Sequence, residues 1–76
     1  MNIKDWSSKI KQLRKDDVYV ESINHVKARQ VAIFTNPNSS EEDITRAHNV
    51  IIALSEIENY FDSVQAEEAV FDKRNK

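Results

Sequence analysis

The chain contains no glycine and no cysteine, one proline, one methionine, and few aromatic side chains (one Trp, two Tyr, three Phe). Without glycine, tight hairpin turns lose the residue that takes positive φ freely, and no loop can let a phosphate approach its backbone closely. A P-loop and a dinucleotide-binding fingerprint are therefore excluded. Without cysteine there is no disulfide and no thiolate, and the two histidines, His25 and His48, cannot close a zinc site by themselves. No apolar run reaches the length of a signal-peptide core or a membrane span. Cytoplasmic residence, with no membrane partner, is the expectation.

What is present is an ordinary balance for a folding chain: 32% charged and 39% hydrophobic residues in a length of 76, read as one domain over 1–76. A chain of this size removes only about 60% of its unfolded surface from water, so its core is thin and a partner is a natural source of further stability. The charges are segregated. Residues 1–36 carry seven Lys and Arg against four Asp and Glu, a net +3, whereas residues 37–76 carry four against nine, a net −5. Opposite signs favour packing of the two halves on one another, or head-to-tail association.

The longest regular pattern starts at Ser39. Ser39 and Ser40 precede Glu41, Glu42 and Asp43, a hydroxyl followed by first-turn acids that can reach back to cap a helix and complement its dipole. Asn38-Ser39-Ser40 also matches the glycosylation triplet, but the cap reading is preferred. Ala47, Val50, Leu54, Ile57, Phe61 and Val64 then recur at alternating spacings of three and four, the coiled-coil pattern of one helix packed on another. A second row, Ile44, Ala47, Ile51 and Leu54, widens its first half, and Ile52 falls off the seam. Gln65, Glu67 and Glu68 interrupt the pattern beyond Val64, so residues 66–76 are expected to fray.

In the first half, Ile3, Trp6, Ile10 and Leu13 lie at spacings of three, four and three between basic residues, which predicts a short amphipathic helix from Asn2 to Lys15. The middle is ambiguous. Val18 to Val20 and Gln30 to Thr35 have strand composition, yet on a helix Tyr19, Ile23, Val26, Ile33 and Phe34 share one arc, interrupted by Gln30. Since Asn24 to Arg29 offers no glycine turn, a second helix from about Asp17 to Phe34 is preferred, ended by a left-handed Asn36 before Pro37.

The expected fold is all-α, a helical hairpin or three-helix bundle with a long C-terminal helix; the alternative is α-β-β-α with a central hairpin. No catalytic, cofactor-binding or metal-binding residues are assigned, because no carboxylates converge in a pocket and no serine stands in a nucleophile elbow. The expected function is a non-enzymatic protein–protein interaction or assembly module that self-associates or binds a partner through helix 40–64. Trp6, Val50, Leu54, Ile57, Phe61 and Val64 form its interface. The alternative is a small nucleic-acid-associated regulator whose basic N-terminal helix contacts phosphates through Lys9, Lys11, Arg14 and Lys15. Size and composition are those met in small accessory proteins of bacteria and their phages.

Overall fold

The computed structural model of the protein describes residues 2–74. It contains three α-helices, α1 (Ile3–Lys15), α2 (Asp17–Thr35) and α3 (Glu41–Arg74), and no strand among the described residues. The α-β-β-α alternative is thereby overturned: residues 18–35, β-branched as they are, form one unbroken helix. Periodicity wins over propensity here because a helix can lay Tyr19, Ile23, Val26 and Ile33 on one stripe against α3, where they are half-buried.

Each helix boundary has a local cause. The Asn2 side chain accepts from the amides of Lys4 and Asp5 at the start of α1. Asp16 closes α1 and opens α2 at once: its backbone is extended (φ −71°, ψ 124°), its amide bonds to Leu13, and its carboxylate accepts from the Tyr19 amide at 3.0 Å. At α3 the anticipated capping box forms, with Asp43 N–H donating to Ser40 Oγ (3.1 Å) and Ser40 N–H donating to Asp43 Oδ2 (3.2 Å). Ser39 instead donates its hydroxyl to the Ile33 carbonyl (2.7 Å), tying the turn to the end of α2. Asn36 does not take the left-handed cap position expected of it. Its backbone is extended (φ −83°, ψ 117°), because the Pro37 ring excludes the helical regions from the residue before it.

The two short helices lie one after the other along the long one. Carboxylates from Glu58 to Asp72 meet α1, and Ala47 and Val50 meet Val26, Gln30 and Ile33 of α2. Both run antiparallel to α3, whose 34 residues span about 51 Å. The result is a rod of 57 × 23 × 17 Å, two helix diameters across, with a radius of gyration of 16.7 Å against about 11 Å for a compact chain of this length.

Such a rod can hide only one stripe of each helix. Ile10, Ala47 and Val64 are the fully buried apolar side chains, joined by the polar Ser7 and Gln30. Gln30, which interrupts the apolar arc of α2 in the sequence, satisfies itself by donating to the Val26 carbonyl (3.0 Å), whereas Phe34, expected on that arc, is exposed. The segment from 66 onward, expected to fray, is helical through Arg74, and residues 75 and 76 lie outside the described residues.

Ala47 is 1% exposed, between α3 and the Val26, Gln30 and Ile33 side chains of α2. Ala47→Leu inserts three carbons at that crossing and is expected to destabilise the fold by about 1–3 kcal/mol. Urea unfolding followed by circular dichroism checks this; an unchanged midpoint shows that the two helices are not in close contact there.

Candidate interaction surface

The side chains of α3 that are buried or half-buried are Ala47, Val50, Ile51, Leu54, Glu58, Phe61, Val64, Gln65, Glu68 and Asp72, the polar ones lying where α1 packs. The apolar stripe of the same helix is not identical with this face. It shares Ala47, Val50, Leu54, Phe61 and Val64 with it, but Ile57 is exposed where the neighbouring Glu58 is half-buried. On α1 the packing stripe is Ile3, Ser7, Ile10 and Arg14, again buried or half-buried, while the apolar stripe is Ile3, Trp6, Ile10 and Leu13. At Trp6 and Leu13 of α1 and at Ile57 of α3, an apolar residue is exposed while the polar residue after it, Ser7, Arg14 or Glu58, is packed, a displacement toward the preceding residue.

Polar bonding across the α1–α3 seam accounts for the displacement. Arg14 donates Nη1 to Gln65 Oε1 (2.7 Å) and Nη2 to the Glu58 carbonyl (2.9 Å) and Glu58 Oε2 (3.1 Å). The same Nη2 lies 2.9 Å from Asp62 Oδ1, and the guanidinium sits over the Phe61 ring, 5.3 Å from its centroid. Tyr19 adds its hydroxyl to Glu58 Oε1 (3.0 Å), and its ring packs tilted against Phe61. Burial, followed by the hydrogen bond to the Glu58 carboxylate, raises the Tyr19 pKa above its ordinary 10.0. Further along, Ser7 Oγ donates to Glu68 Oε2 (2.6 Å), Lys11 Nζ reaches the same oxygen (3.1 Å), and Lys4 pairs with Asp72 (3.0 Å).

Because antiparallel neighbours displaced in the same sense expose the same side, Trp6 and Leu13 of α1 and Ile57 of α3 face one flank. Trp6 Nε1 donates to Tyr60 Oη at 3.0 Å across it. Trp6 (37% exposed) and Leu13 (40%) from α1 stand beside Ile57 (44%) and Tyr60 (47%) from α3. Lys9 edges the groove formed by Trp6, Leu13 and Phe61, and Glu67 and, beyond it, Arg74 edge a second groove lined by Ile3, Ala66, Val70 and Phe71. The Arg14 cluster opens on the opposite flank beside Ile23 and Lys27.

The six interface residues expected from the sequence are thus divided. Val64 is buried, Val50, Leu54 and Phe61 are half-buried in or beside the seam, and Trp6 and Ile57 are exposed on the flank. Leu13 and Tyr60 belong with them and were not singled out. Their signal was available: Leu13 is seven residues from Trp6, and Tyr60 is three from Ile57. Of the four expected phosphate contacts, Lys11 and Arg14 are held by carboxylates of α3, and Lys9 and Lys15 are exposed. Among the described residues no three His, Asp or Glu side chains are grouped to hold a metal.

Arg14→Ala leaves Glu58, Asp62 and Gln65 without their shared donor and is expected to lower stability by about 1–3 kcal/mol in urea unfolding, partial exposure keeping the loss below that of a fully buried pair. An unchanged midpoint would show the cluster to be energetically idle. Glu68 tests the seam by pH. The Ser7 hydrogen bond, then the Lys11 ammonium, holds its carboxyl below the ordinary 4.5. A carboxyl depressed in the folded state stabilises the fold above its ordinary pKa, and that contribution is lost as pH falls through the depressed value. Ser7→Ala should move the Glu68 titration, followed by carbon-detected NMR, upward toward 4.5 and make stability less steeply dependent on pH in this acid window. An unmoved titration would remove Ser7 from its role.

No family model, no curated protein and no solved structure matches the chain, so its own surface must carry the functional reading.

Proposed function

We propose that the chain is a small non-enzymatic assembly module that presents an apolar helical flank to another protein chain, a second copy or a different partner. The supporting observation is that Ser7, Arg14 and Glu58 pack between the helices while the apolar residues before them, Trp6, Leu13 and Ile57, stay exposed. If the long helix served only to close its own fold, the apolar residues at 57 and 60 would be expected in the seam and the polar residues at 58 and 65 outside it. The arrangement found is the reverse, with Trp6, Leu13, Ile57 and Tyr60 left in water. Aromatic and aliphatic side chains concentrated on one rigid flank, bordered by a cation and an anion, have the composition of an interface core with a polar rim.

Relative to the interface expected from the sequence, the proposed surface keeps Trp6 and Ile57 and adds Leu13 and Tyr60. Val50, Leu54, Phe61 and Val64 support it from behind, so a polar substitution at Leu54 or Phe61 reports on folding before it reports on binding. The nucleic-acid alternative has less in its favour. To meet phosphates, Lys11 and Arg14 would have to leave Glu68, Glu58 and Asp62, and those carboxylates would then stand unpaired beside a polyanion.

A photoreactive benzoylphenylalanine placed at position 57, in cells of the protein's own source, tests the proposal. The expected result is a discrete protein adduct after irradiation, absent when the same residue is placed at Glu21 on the outer side of α2. The absence of any adduct from a folded, expressed chain would overturn the reading.

A further inference from the structure

Resting on that reading, we infer that the flank is covered by a second copy of this chain, in a two-fold dimer whose two rods lie flank to flank as two layers of two helices. The protein exposes 6010 Å², about 1200 Å² more than the roughly 4800 Å² of a compact monomer of 8.8 kDa. Removing that surplus from both copies buries about 2400 Å² in total, within the roughly 2000–5000 Å² of permanent homodimers. The shape leads to the same partner. A rod two helices thick gives each helix one neighbour, whereas two such rods joined along a flank give each helix a second face to cover, the arrangement of a four-helix bundle.

A two-fold interface must also complement itself, since the same patch is presented by both partners. This flank meets that condition. Its centre is the Trp6–Tyr60 pair, apolar bodies joined by the indole N–H donated to the Tyr60 hydroxyl oxygen at 3.0 Å, which leaves only the Tyr60 hydroxyl proton to find an acceptor or water at the interface. Its borders carry opposite charges, Lys9 along α1 and Glu67 along α3, and neither is in an ion pair among the described residues. A two-fold axis through the aromatic centre can set the cation of one copy against the anion of the other. A flank bordered by one sign alone would repel its own image.

Ile57 and Ile52 supply a matched control. Each is 44% exposed, but five residues of helix separate them by about 140° around α3, so Ile57 lies on the flank and Ile52 does not. Sedimentation equilibrium of the full chain over a wide concentration range is expected to give twice 8.8 kDa. Ile57→Glu should weaken association at least roughly tenfold while circular dichroism keeps its helical signal, and Ile52→Glu should leave the dimer intact. If Ile57→Glu fails to fold, Leu13→Glu reads the same flank from α1. A wild-type chain that stays monomeric, or a dimer indifferent to Ile57→Glu and Leu13→Glu, overturns the inference. A monomer that still gives an adduct with a different protein from position 57 overturns the second copy alone, and a monomer that gives no adduct overturns the module reading with it.

Discussion

The guanidinium of Arg14 sets how α1 is rotated on α3, and most of the architecture depends on that setting. It reaches Gln65, Asp62 and both the carbonyl and the carboxylate of Glu58, acceptors spread over two turns of one helix, while its face rests on Phe61. A planar, forked cation can satisfy so many acceptors only in a narrow range of orientations. Ser7 and Lys11 on Glu68, and Lys4 on Asp72, repeat the same rotation further along. With α1 so fixed, Ile10 faces inward and Trp6 and Leu13 turn outward.

A seam built this way is specific rather than strongly stabilising. Ion pairs between partly solvated side chains contribute little each, and an apolar seam of the same size would bury more surface. The chain accepts a core of Ile10, Ala47 and Val64 with two polar residues, and keeps its larger apolar side chains available on the outside. That trade has a physical logic under the proposed contact function. A purely apolar seam could rotate or slip by one residue at small cost, while charged partners at fixed spacings hold the flank in one geometry. A rod whose flank is in place before a partner arrives loses less entropy when it binds.

Much was legible in the sequence because it is local. The Ser40–Asp43 capping box, the start of α1 at Asn2, and the 3.6-residue periodicity of all three helices depend on residues within a turn of each other. The absence of glycine weighed against a hairpin by the same local reasoning. The opposed charge of the two halves allowed either their packing together or head-to-tail association, and the ion pairs between α1 and α3 are of the first kind. Two local inferences failed where a nearer constraint was stronger: Pro37 kept Asn36 extended, and Phe34, close in angle to Ile33, lay past the edge of the covered arc.

By itself, then, the sequence determined the helices, the starts of α1 and α3, their amphipathic character and the thinness of the core. The tertiary structure decided which side of each amphipathic helix faces inward. Periodicity marks an apolar stripe, and a lone helix has no reason to bury anything else. Once Arg14, Lys11 and Ser7 can bond across to Glu58, Gln65 and Glu68, leaving those groups unsatisfied between two helices would cost more than exposing Ile57 and Tyr60. That comparison exists only between segments more than forty residues apart, so no window of sequence contains it. It turned an apparent core seam into a seam and a separate exposed flank.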